Sequence, residues 1–216
     1  MKCWAIVPVK RLAAAKSRLA PILSLRRRRA LVCLLLTHTL KALKNARGIS
    51  GILVIGQDRA VRGIARTSGA EFIAEGEQGG LNRALARAAA EAVRRGADSL
   101  LILPADLPLL AAADVSAALK IHGRPPFLLI APDRAERGTN LLRIAPPGLI
   151  RFSFGSCSFQ RHVSSARRAG ARVRVLRRPS LAQDLDCPED LINTAILGWP
   201  GGKQFGNPPG KPFPRP

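Results

Sequence analysis

"SLLILPADLPLL", residues 99–110, sets a short unbroken apolar run directly before an aspartate, Asp106, that stands between two prolines. A strand with one wet face alternates apolar and polar residues, and this one does not. A run apolar on both faces belongs inside a sheet covered by helices on both sides, which is the condition of a parallel sheet. "GILVIG", residues 51–56, has the same character. Between and around these runs lie helical patterns, so strands and helices take turns along the chain. Strands are predicted at 3–9, 51–56, 71–74, 99–105, 127–132, 140–145 and 172–177. Helices are predicted at 25–46, 58–68, 81–95, 114–121, 158–170 and 188–197. This alternation predicts an α/β fold, a sheet sandwiched between helices.

The chain has 216 residues, 47% of them hydrophobic, enough for one domain with a real core. The domain is expected over 1–198. From 199 to 216 the chain reads "WPGGKQFGNPPGKPFPRP", dense in Pro and Gly, and a disordered tail is expected there. The formal charge of +21 arises from 35 Lys and Arg against 14 Asp and Glu. Polyanions, anionic membranes and small anionic substrates are all compatible with it. The arginines are spread over many segments, and aromatics that stack on bases are scarce, with no Tyr at all. That pattern argues for a compositional bias and against a nucleic-acid partner. Cys3, Cys33, Cys157 and Cys187 stand far apart without a CxxC pair, as in a reduced cytoplasmic protein. The apolar stretch "ALVCLLLTHTL", residues 30–40, is too short to span a bilayer, and no secretory leader is read at the start, so no membrane partner is expected.

Acidic residues are few, which makes their positions informative. Asp106 follows a buried strand, and in open α/β sheets such strand ends face the ligand crevice. It reads as a metal-binding carboxylate or as a turn former satisfying its own backbone. "LAQDLDCPEDL" supplies Asp184 and Asp186, which in an extended segment project from one face and can share a hard cation with Asp106; oxygen ligands favour magnesium. A structural use competes, because Asp186 and Glu189 have capping-box spacing for the helix starting near Pro188. Thr139, in a turn before a strand, and Gly155 and Ser158, at the start of a helix, are placed to meet an anion through hydroxyls and free amides, although a plain turn and an N-cap serve equally. Gly79 and Gly80 precede a helix and permit close approach of a flat ligand, whose edge Asn82 can read. The loop "VPVKRLAAAKSRL", residues 7–19, carries Lys10, Lys16 and Arg18 and no glycine. His38, His122 and His162 are scattered and read as surface or core residues.

Taken in order, "VPVKxxxxAKSRL", "GGLNxAL", "LPADLPLL", "GTN", "FGxxSF" and "DLDxPEDL" resemble the guanylyltransferases that make the guanylylated phospho-acid precursor of the deazaflavin coenzyme F-420. The resemblance covers about residues 3–197. It implies a nucleotidyltransferase fold related to the GT-A glycosyltransferases, with a mixed, mostly parallel sheet between helices. It implies GTP as nucleotide and 2-phospho-L-lactate, phosphoenolpyruvate or 3-phospho-D-glycerate as acceptor. Its metal aspartates fall on Asp106, Asp184 and Asp186, and its acceptor-phosphate contacts on Thr139, Gly155 and Ser158. Lys16 and Arg18, with Lys10 as a further candidate, are then the cations for the GTP phosphates, and Gly79, Gly80 and Asn82 belong to the nucleotide side. Magnesium is the implied cofactor and a homodimer the expected assembly. Sugar-phosphate or molybdopterin nucleotidyltransferases are the nearest alternative, but those usually carry a glycine-rich first loop.

Overall fold

The computed structural model describes all residues except 77, 78, 122, 197–200, 202–204 and 206–216. His122 and most of the Pro/Gly-rich end lie outside the described residues. Among the described residues seven strands form one sheet: β1 (Cys3–Pro8), β2 (Ile49–Gly56), β3 (Glu71–Ala74), β4 (Ser99–Ile102), β5 (Phe127–Pro132), β6 (Thr139–Ala145) and β7 (Arg172–Val175), in the order β3-β2-β1-β4-β6-β5-β7. β6 runs antiparallel to both of its neighbours, and every other pairing is parallel. The predicted α/β class with a mixed, mostly parallel sheet is the observed one.

Side-chain alternation along the central strands sorts the core into two layers. Ala5, Val7, Val54, Leu101 and Leu129 face one side, where they pack with α1 (Leu25–Asn45), α2 (Arg59–Thr67) and α4 (Ala112–Lys120). Ile6, Leu53, Ile55, Leu100, Ile102, Leu128 and Ile130 face the other, against α3 (Leu81–Arg94) and α5 (Ser158–Arg168). Both faces of the central strands are thus dry, the physical cause of their unbroken apolar runs.

β4 ends at Ile102, three residues short of its predicted end. Leu103 still donates to Ile6 O at 3.0 Å, but Pro104 has no amide with which to continue the ladder, and the chain leaves the sheet toward Asp106. A short helix not foreseen in the sequence, α6 (Pro179–Ala182), precedes the Asp184 segment, and α7 (Pro188–Ile196) follows it. A third apolar cluster joins Leu19, Leu23, Leu31 and Leu35 to Leu185, Leu191 and Phe205. Phe205 is buried there with the Arg27 guanidinium over its ring. All four cysteines are free. Among the described residues no helix is long and apolar enough to cross a membrane.

Candidate active site

At the carboxyl ends of the parallel strands lies a cleft of about 500 Å³, lined by Lys10, Lys16, Arg18, Asp106, Asp184 and Asp186 on one side and by Thr139, Gly155 and Ser158 on the other. A larger groove, about 770 Å³, opens near the start of β1 beside Arg47, Lys120 and Arg143, and no carboxylate among the described residues lines it. The crevice outside the strands' carboxyl ends is where open α/β sheets place ligands, and only the smaller cleft gathers groups of both signs there.

The glycine-free loop after β1 is held by its own apolar residues and by distant partners. Leu12, Ala15 and Leu19 are buried, Leu12 N donates to Asp58 Oδ2 at 2.9 Å, and Arg28 donates to Ala15 O at 3.0 Å. Lys16 itself takes the left-handed conformation (φ 50°) that a glycine would accept more readily. This conformation aims its ammonium at two carboxylates: Nζ donates to Asp106 Oδ2 at 2.8 Å and to Asp186 Oδ1 at 2.7 Å. Burial pulls the Lys16 ammonium toward losing its proton, but the charges of Asp106 and Asp186 outweigh that pull and hold it charged beyond the usual lysine range. Lys10 and Arg18 are exposed at the rim of the cleft.

Two hydrogen bonds, one from a side-chain amide and one from a backbone amide, bring the second acidic pair to Asp106. Asn140, buried on β6, donates to Leu181 O at 3.0 Å, and Leu185 N donates to Asp106 O at 3.0 Å. Leu185 points into the third cluster, so Asp184 and Asp186 on either side of it face the cleft, as the extended reading predicts. Burial raises the Asp184 carboxyl, and the charges of Asp106 and Asp186 raise it further, to about 6. For Asp186 burial acts in the same direction, but Lys16, Lys10 and Arg18 reverse it and lower the carboxyl overall. The capping-box use of Asp186 with Glu189 is not what the structure contains. Asp190 Oδ2 accepts from the amides of Asp186 and Cys187, both at 2.8 Å, which leaves the Asp186 side chain to Lys16. Among the described residues no three acids are gathered ready to grip an ion, because the Lys16 ammonium stands between two of them.

The opposite wall is built from hydroxyls. Ser158 Oγ donates to Thr139 Oγ1 at 3.1 Å, and both residues are buried. Cys157, not Ser158, is the N-cap of α5, and it makes no side-chain cap. The first two amides of this helix are not free as the sequence led one to expect: Ser158 N donates to Gly155 O and Phe159 N to Arg137 O. Gly155 has φ +120°, a conformation that side chains rarely adopt, so glycine is required at this bend. Asn82 is likewise engaged. Its Oδ1 accepts from Phe154 N at 2.8 Å and its Nδ2 donates to Phe154 O at 3.1 Å, which ties the start of α3 to the loop leading into Gly155. That use, rather than an open reading edge, is what the structure holds for Asn82. Gly79 and Gly80 precede α3, and Gly80 N donates to Glu75 Oε1 at 3.1 Å. His162, read from the sequence as a surface or core residue, and Asn140, read only as part of the turn around Thr139, contribute through partners of which a single polar residue carries no local signal.

Comparison with known proteins bears on this site. The family described as "Guanylyl transferase CofC like" matches residues 3–203. The phosphoenolpyruvate guanylyltransferase of Rubrobacter xylanophilus is 46% identical over 205 residues, 95% of this chain and 98% of that protein. The 2-phospho-L-lactate guanylyltransferase of Methanothermobacter thermautotrophicus is 37% identical over 198 residues, 92% of this chain and 86% of that protein. Among solved structures, a nucleotidyl transferase from Methanothermobacter superposes with a TM-score of 0.66 at 14% identity, covering 91% of this chain and 97% of that one. A 4-diphosphocytidyl-2C-methyl-D-erythritol synthase does so with 0.63 at 15% identity, covering 91% and 97%. At these identities the structures speak for the fold alone.

Proposed function

The chain belongs to the CofC-like guanylyl transferase family, and on that premise we propose that it transfers GMP from GTP to the phosphate of a three-carbon phospho-acid, with release of pyrophosphate, as a step toward coenzyme F-420. The observation that carries this reading is the cluster in which Lys16 binds Asp106 and Asp186 at one side of a cleft whose other side is a pair of buried hydroxyls. One side suits a triphosphate and the other a second, smaller anion.

The nucleophile is a phosphate oxygen of the acceptor, already anionic, which attacks the α-phosphorus of GTP while the bond from that phosphorus to the bridging oxygen of pyrophosphate breaks. No general base is required, in keeping with a cleft whose lining includes no histidine or cysteine among the described residues. The difficulty is electrostatic, because two polyanions must meet and a third must leave. Lys16, with Lys10 and Arg18 at the rim, lowers that repulsion and offsets charge on the departing pyrophosphate. Thr139, Gly155 and Ser158 orient the acceptor so that its oxygen lies in line with the leaving group.

Magnesium fits the site by the chemistry of its donors. Asp106, Asp184 and Asp186 offer hard oxygens, Asp184 is raised by burial and then by the charges of Asp106 and Asp186, and an ammonium already stands where a cation is called for. When bound, the ion would supply charge to the phosphate oxygens and help hold them in one orientation.

Purified protein incubated with GTP, magnesium and, in turn, phosphoenolpyruvate, 3-phospho-D-glycerate and 2-phospho-L-lactate is expected to release pyrophosphate and form the guanylylated acid with at least one of them. Folded protein that turns over none of the three refutes the assignment, and preference for CTP with a sugar phosphate replaces it with the cytidylyl type of chemistry.

A further inference from the structure

His162 lies on α5 with its ring fully buried, and both ring nitrogens are engaged. Ser153 N donates to Nε2 at 3.0 Å, while Nδ1 is 3.1 Å from Thr139 Oγ1. A backbone amide can only donate, so Nε2 must present its lone pair, and a neutral ring then carries its proton on Nδ1. Burial, and after it the nearby Arg161 charge, lower the imidazole to about 4, so the ring is neutral around pH 7. Its orientation is fixed from the side as well. Phe154 meets it edge-on at 4.8 Å and 66°, and Asn82 clamps the Phe154 backbone.

The tautomer decides how many protons the hydroxyl pair has left for a ligand. With the proton on Nδ1, Thr139 Oγ1 accepts from His162, one hydroxyl proton closes the bond between Thr139 and Ser158, and the other hydroxyl proton remains to be donated. This holds whichever of the two hydroxyls donates to the other. With the proton on Nε2 instead, Thr139 would donate to Nδ1 and Ser158 to Thr139, and the pair would turn only lone pairs toward the cleft. An anion there would be repelled. Because the first two amides of α5 are already bonded to Gly155 O and Arg137 O, the remaining hydroxyl proton is a principal donor on this wall.

We propose that His162, through its Nδ1–H tautomer, is the positioning residue that makes the Thr139–Ser158 pair a donor to an anionic oxygen of the acceptor acid. It touches neither substrate nor reacting phosphorus. The proposal rests on the guanylyltransferase reading for the identity of the anion, and the test separates the two.

The wild-type enzyme is first assayed with GTP, magnesium and each of the three acids, and then compared with His162→Asn and His162→Gln. Asparagine places an amide N–H near the Nδ1 position and can still donate to Thr139, whereas glutamine reaches only toward the Nε2 position. His162→Gln is expected to raise the KM for the acceptor by about tenfold or more, the loss of one hydrogen bond to a charged oxygen, with the KM for GTP unchanged. His162→Asn is expected to recover the acceptor KM to within about threefold of wild type. Equal impairment of the two variants, or parallel changes in both Michaelis constants, overturns the proposal. Wild-type protein that turns over none of the acids refutes the guanylyltransferase reading itself. The relay is then decided on isotope-labelled protein by nitrogen-proton correlation NMR, where a protonated Nε2 on His162 overturns it and a protonated Nδ1 sustains it.

Discussion

Acidifying the protein should expose the cost of keeping His162 neutral. In the unfolded chain this imidazole takes up a proton near its ordinary value of 6.5, whereas in the fold it does so only near 4. Between those values the unfolded state binds more protons, so the stabilising contribution is fully present above about 6.5 and is lost as pH falls toward about 4. From about pH 7.5 to about pH 5, linkage puts the loss at about 2 kcal/mol. With a urea dependence of about 2 kcal/mol per molar, the unfolding midpoint should move down by about 1 M. His162→Asn lacks this titration, and its midpoint should fall much less over the same range. Asp184 acts with the opposite sign, because its folded value of about 6 lies above the unfolded one and acid relieves its strain. That contribution is common to both proteins and drops out of the difference. The assay is urea unfolding followed by circular dichroism at several pH values for each. If the two curves of midpoint against pH run parallel, the ring is not held neutral by its surroundings and the reasoning about its tautomer is refuted.

Asp106→Asn leaves Lys16 with Asp186 as its remaining carboxylate and should lower kcat/KM by about 10²–10³-fold, the range for loss of one preorganised charged partner. Its melting temperature should change little, because the Asp106 side chain is 28% exposed. Arg18→Ala should raise the KM for GTP about tenfold and leave that for the acceptor alone, since Arg18 stands on the acidic side of the cleft; an unchanged KM for GTP would remove the loop from the triphosphate site. Leu185→Ala empties a fully buried position between Asp184 and Asp186, and chemical denaturation should report a loss of about 2–4 kcal/mol. Activity should fall as well, because the two carboxylates lose the anchor that turns them to the cleft.

What the sequence determined by itself follows from local physics. Runs apolar on both faces at 51–56 and 99–105, separated by helical patterns, require a sheet covered on both sides, and that requirement alone led to the α/β class. Among scarce acids, Asp106 was marked by its place after a buried strand and between prolines, Asp184 and Asp186 by sharing one face of an extended segment, and the ordered motifs attached all three to a family. The boundaries that differed, such as the early end of β4, differed where the partner strand and a proline decided how far pairing could run.

Tertiary structure decided partnership. Lys16 meets carboxylates 90 and 170 positions away, and no spacing along the chain encodes that choice. The bonds that enforce it, from the Asn140 side chain to Leu181 O and from Leu185 N to Asp106 O, both end on backbone carbonyls, which are the same in every residue. For the same reason Asn82 was legible as a polar residue near a glycine bend but not as the clamp on Phe154, and His162 was legible only as a histidine in a helix. Which nitrogen of a ring carries a proton depends on what donates to the other one, and in this protein that donor is the amide of Ser153, brought there by the fold.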